Sequence, residues 1–222
     1  MDNVDPIQLI AKLLVIFLAI GLHEYAHCKV ADLAGDPTPS FYGRVTLNLF
    51  KHFDPMGTIM IIITSLSGYG IGWGKPAPMD PRKMHNPRWD FFSAVAAGPL
   101  CNVLQAIVYA LVLRVLLKNG SIEDAGFLGM VCFFGALINL SLCFFNLIPI
   151  GPLDGHWLVG QLLPDKIRYF YYRWNAGPGT ILMFVLVLGS QFMRGSLGFS
   201  PLGVLIYTPA SFVFRMLTGI SI

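Results

Sequence analysis

The sequence predicts an all-α polytopic membrane protein: about five full spans plus one re-entrant or short apolar segment, with a small β-hairpin near its candidate site. Three observations carry this expectation. Hydrophobic residues make up 55% of the 222 residues and charged residues only 12%, about half the charged share of a typical soluble domain. Mean hydropathy is +0.65. The apolar residues also fall into long runs separated by short polar turns, the pattern of bilayer-crossing helices. A net charge of +3 spread through the loops argues against nucleic acid as a partner. Cys28, Cys101, Cys132 and Cys143 form no C-x-x-C pair and read as buried small hydrophobes.

The first run starts at Pro6, which suits a helix N-terminus, and residues 7–33 extend as one helix, closed by Gly35 and Pro37-Thr38-Pro39. Lys12 near its start can snorkel to the surface. Asp2 and Asp5 stand where a signal peptide would carry basic residues, so no cleaved leader is expected. Near the helix's other end lies His23-Glu24-Tyr25-Ala26-His27. Ionisable groups in a span are costly and mark function by default. Residues i and i+4 share a helix face, so the two imidazoles can bind one zinc, with Glu24 beside it as general base. His23 stands roughly 25 Å along the helix from Pro6, slightly inside the membrane near the face where the helix ends.

Residues 44–49 alternate partly and are rich in strand formers, which predicts the strand or hairpin. Residues 58–73 are apolar but short and interrupted by Ser67, Gly68, Gly70 and Gly72, which favours a re-entrant segment over a span. A polar, Pro-rich surface loop covers 75–90. Spans follow at 91–117 and 127–150, then a short amphipathic stretch and two last apolar runs, 180–193 and 201–217. With no linker or internal repeat, residues 1–222 read as a single membrane-embedded domain. Its catalytic core covers about 7–160, with two C-terminal helices at about 178–217.

Two histidines leave a catalytic zinc short of a ligand. His52, His85, His156, Asp54, Asp80, Asp90, Glu123, Asp124, Asp154 and Asp165 are nearly all the remaining candidates. Asp154 stands out, at the end of a span and pinned by Pro149, Pro152 and Gly155; a membrane tolerates such irregular backbone only inside protein or beside a wet cavity. If residues 58–73 crossed fully, Asp154 and His27 would lie on opposite faces. If that segment is re-entrant, they share one. In the re-entrant arrangement 11 of the 15 Lys and Arg residues fall on the motif face, which marks it as cytoplasmic. His52 and Asp54 line an entrance or cap a turn, His85 reads as a surface residue, and His156 as an alternative ligand or a neighbour of one.

Taken together, the H-E-x-x-H helix, Leu153-Asp154-Gly155 preceded by Asn146-x-x-Pro149, and Ala97-Gly98-Pro99-x-x-Asn102 resemble the site-2 protease family of intramembrane zinc metalloproteases. The likeness spans about residues 20–160 and is closest to the compact branch without PDZ or CBS domains; Gly151 departs from it, where many relatives carry proline. The resemblance implies one Zn2+ on His23, His27 and Asp154, with Glu24 catalytic. Asn102 and Asn146 are expected to hold the substrate backbone, with interhelical hydrogen bonding as their alternative role. An unwound substrate is expected to pair with the edge of residues 44–49. Single-span membrane proteins or remnant signal peptides are the implied substrates, in a prokaryotic cell membrane, with homo-oligomerisation left open. The competing reading is a catalytically silent zinc-binding membrane protein acting as a partner or transporter; the intact motif and the lack of internal symmetry argue against it.

Overall fold

The computed structural model describes residues 5–66, 72–119, 122 and 124–220. Glu123 and the interrupting Ser67, Gly68 and Gly70 therefore lie outside the described residues. Asp5 caps the first helix, its carboxylate accepting from the Ile7 N–H, and α1 runs from Pro6–Leu33 without a break. Together with α4 (Trp89–Leu116) and α5 (Gly126–Asn146) it forms an antiparallel three-helix core. Small residues let these helices approach: Ala11 packs with Val15 and Val131, and Ala106, Ala110 and Ala136 pack beneath Phe214. Among the described residues five helices are long and apolar enough to cross a membrane, the other two being α7–α8 (Asp165–Leu197 taken together) and α9 (Pro201–Thr218). The chain is a multi-pass membrane protein.

The expected hairpin is absent among the described residues. Thr38–Phe41 is a short helix, α2, the following residues turn through Gly43 (φ +63°), and Leu49–His52 is a 3-10 turn. Local bonds explain the difference. The His52 ring bonds to the Thr46 carbonyl through Nε2 at 2.9 Å, Thr46 Oγ1 accepts from the Asn48 N–H, and the Asn48 carbonyl accepts from the Lys51 N–H. Side chain to backbone bonds of this kind satisfy groups that a ladder would need. Residues 44–49 thus offer no strand edge.

Among the described residues extended pairing occurs instead at one bridge, Phe53 with Gly74, with the Lys75 N–H donating to the His52 carbonyl. Between these partners the chain makes the twelve-residue helix α3 (Pro55–Leu66), and residues 72–73 then lie back over its first turns. A Cβ on Gly57 would sit 2.1 Å from the Trp73 carbonyl oxygen, so that approach requires glycine. The two ends of the segment, Phe53 and Gly74, thus lie side by side.

The other end carries a correction. Arg114 Nη1, in the last turn of α4, donates to the Leu217 carbonyl, and Leu217 and Ile220 pack beside Leu116 and Leu117. The chain therefore finishes away from the histidine motif, and Arg215 belongs to the opposite end rather than the motif end. α7 starts at the motif end, where Tyr171 Oη donates to the Pro149 carbonyl. The last helices together make one net passage between the ends.

Candidate metal centre

Three elements converge where α1 passes α4 and the loop after α5. α1 supplies His23 and His27, whose rings meet edge-on with centroids 4.5 Å apart. α5 stops at Asn146, and the loop to α6 (Asp154–Leu162) places Asp154 at that helix's first position. His23 Nε2 and His27 Nε2 are 3.0 Å apart, and Asp154 Oδ2 lies 3.2 and 3.4 Å from them. Tetrahedral zinc with bonds of about 2.0–2.1 Å has ligand–ligand edges of about 3.3 Å, so the three atoms fit. Asp154 Oδ2 is buried without a hydrogen-bond partner, an orphan acceptor that a cation would satisfy. Burial pushes the Asp154 carboxyl up, but His27 and His23 outweigh it and hold its pKa well below the ordinary value. Among the described residues, no other group of three or more His, Cys, Asp or Glu ligand atoms converges in this way.

The imidazoles are aimed from behind. His27 Nδ1 donates to the Ala94 carbonyl at 2.8 Å, and His23 Nδ1 donates to Asn102 Oδ1 at 2.7 Å. Both bonds set the tautomer that leaves Nε2 open towards a metal. Asn102 Nδ2 donates in turn to Asn139 Oδ1 at 2.8 Å, and Asn139 Nδ2 to the Gly135 carbonyl at 2.9 Å. Asn102 and Asn139 are both wholly buried. Both ends of the Asn102 amide are thus hydrogen-bonded within the protein. Sequence reasoning missed Asn139, although an amide midway along the apolar run 127–150 was the available signal.

Gly98 makes room for the rings: a Cβ there would lie 2.3 Å from His27 Nε2 and 2.6 Å from His23 Cε1. Gly155 is as constrained, with a Cβ 2.3 Å from the Leu147 carbonyl oxygen. The Gly151 N–H donates to Asn175 Oδ1 at 2.6 Å, a bond a proline there could not make. Asn175 therefore stiffens the Asp154 loop from the π-helical stretch between α7 and α8.

Glu24 takes the neighbouring face of α1, its Cγ lying 3.3 Å from where a Gly74 Cβ would be. Asn146 stays at the end of α5 with its Nδ2 donating to the Leu142 carbonyl. The remaining sequence candidates lie elsewhere. Asp54 caps α3 by accepting from the Gly57 N–H, His52 is wholly buried between Arg44 and Thr46, and exposed His85 rests on Gly35. His156 is buried against Trp157 with Nδ1 donating to the Leu153 carbonyl.

Residues 115–188, which contain the Asp154 loop, match peptidase family M50. The chain is also 36% identical over 167 residues to "Putative zinc metalloprotease YwhC" of Bacillus subtilis, covering 73% of this chain and 74% of that protein. The chain belongs to peptidase family M50, the site-2 proteases. A more distant relative, "Putative zinc metalloprotease Rip2" of Mycolicibacterium smegmatis, is 25% identical over 172 residues, covering 75% of this chain and 64% of that protein. No solved structure matches the chain. As an M50 member the protein is a metalloprotease, and the ligand atoms of His23, His27 and Asp154 all lie within 4.8 Å of one another.

Proposed function

We propose that this M50 protein is an intramembrane zinc metalloprotease that hydrolyses peptide bonds in or near transmembrane segments of membrane proteins. Zinc is the cofactor, in keeping with the donor set and with the names of both relatives. The observation that carries the proposal is the convergence of His23, His27 and the orphaned Asp154 oxygen on a span, with Glu24 on the same helix. When bound, zinc acidifies a water and polarises the scissile carbonyl. Glu24 takes the water's proton and returns it to the leaving amide nitrogen. Asn102 and Ala94 hold the two imidazoles against that metal throughout the cycle. Asn146, at the end of α5, is proposed to meet the substrate backbone near the cut.

The excess of Lys and Arg at the motif end supports a site opening towards the cytoplasm of a prokaryotic cell. The proposed substrates are single-span proteins or remnant signal peptides. Core and C-terminal helices are proposed to act as one catalytic unit, with α9 closing the far half of the α4–α5 pair.

The test is Glu24→Gln in zinc-loaded protein reconstituted in nanodiscs with a single-span substrate. Cleavage should fall by about 10²–10⁴-fold while zinc content stays unchanged. Retained activity would remove Glu24 as the base.

A further inference from the structure

An open groove of about 390 Å³ lies at the motif end of the bundle, lined in part by Arg44, Lys51, Phe53, Asp54 and Lys75. Ring contacts hold its apolar side against α1. Phe53 stacks on Phe17 with centroids 4.7 Å apart and Phe50 lies 5.1 Å from the same ring, and Phe17 is near the middle of the 28-residue α1. Arg44 itself lies beside His52, whose ring faces Tyr25 of the motif, so the three cations gather at the motif end of α1, Arg44 buried and Lys51 and Lys75 exposed.

Within the fold Arg44 bonds to backbone carbonyls and feels the charge of Glu24. Arg44 is only 3% exposed; its Nη2 donates to the Lys75 carbonyl at 2.6 Å and its Nη1 to the Pro76 carbonyl at 3.4 Å, while buried Nε has no partner. The Lys51 ammonium folds back against Gly43. Among the described residues no carboxylate forms an ion pair with Arg44, Lys51 or Lys75, and Asp54, the one acid lining the groove, caps α3 instead. Lys75 follows Gly74, the residue packed on Glu24. The positive groove thus begins one residue from the proposed general base.

We infer that this groove is a specificity pocket for an acidic side chain, Asp or Glu, carried by the substrate segment within a few residues of the scissile bond. Gly74, next to Lys75, packs on Glu24, which sets the groove beside the proposed cut and favours a substrate carboxylate over a lipid phosphate. The inference rests on the proteolytic reading, so its test has one arm that needs no cleavage.

Single-span substrate peptides, scanned to Glu or Gln at each of about six positions around the cut, are titrated onto Glu24→Gln protein in zwitterionic nanodiscs. Cleavage by the wild type is measured in parallel. At one position Glu should bind at least about fivefold tighter than Gln, and Lys51→Glu with Lys75→Glu should abolish or reverse that ratio. Because the ratio is taken within each variant, loss of zinc or of folded protein cancels. Equal affinities at every position, a Glu preference that survives the charge reversal, or a preference that appears only with anionic lipid would each overturn the pocket. Selective binding without any wild-type cleavage would keep the pocket and sink the proteolytic reading.

Discussion

At the residue scale, the metal centre depends on atoms that never touch the metal. Asn139 acts on Asn102, and Asn102 on His23, through bonds of 2.8 and 2.7 Å. Breaking such a support lowers metal affinity by about 10–100-fold in comparable sites. Asn139→Leu and Asn102→Leu should each weaken zinc binding by about that factor, measured by chelator competition. The double variant should lose much less than the sum of the two, because both remove one chain of bonds. Additive losses would mean the amides act separately. Gly98→Ala should abolish zinc retention in protein that still folds, since its methyl would occupy the space of both imidazoles. H-E-x-x-H and Asp154 were legible in the sequence because their spacing and setting are unusual in apolar helices. Asn139 and Arg44 were not, because an amide in a span or a cation in a loop has no signature until its partner is known.

At the element scale, the informative piece is the excursion from Phe53 to Gly74. Its shortness and its glycines were visible in the sequence, and so was the need for a re-entrant path if Asp154 was to reach the histidines. The neighbouring stretch misled because residues 44–49 have strand composition, yet Thr46, Asn48 and His52 spend their polar groups on one another. The bridge geometry gives a direct check. Cysteines at Phe53 and Gly74, in a background with the four native cysteines replaced, should oxidise to a disulfide detectable by mass, since facing bridge residues lie within bonding reach. A segment that crossed the membrane would hold them too far apart to join. In the Asp154 loop, Asn175→Leu should destabilise the protein by about 1–3 kcal/mol by orphaning the Gly151 N–H, read as a lower melting temperature.

At the scale of the whole molecule, the spans were legible from hydropathy, but the direction of the last one was not. Thr180–Leu197 and Pro201–Thr218 look in sequence like an ordinary out-and-back pair. Packing of Phe214 against Phe133, and Arg114 against the Leu217 carbonyl, instead directs the chain's end away from the motif. Cysteines introduced at Lys118 and Gly219 should therefore label from one side of the membrane, and a cysteine at Met79 from the other. Labelling of Gly219 with Met79 would reverse α9.

The central claim is that two imidazoles of α1 and the carboxylate of Asp154 hold one zinc within the helix bundle. X-ray absorption at the zinc edge of purified protein tests it most directly. The account predicts one zinc per chain in a shell of nitrogen and oxygen at about 2.0–2.1 Å, with no sulfur near 2.3 Å, and loss of the metal in Asp154→Ala. A sulfur ligand, or a shell and zinc content unchanged by Asp154→Ala, would contradict it.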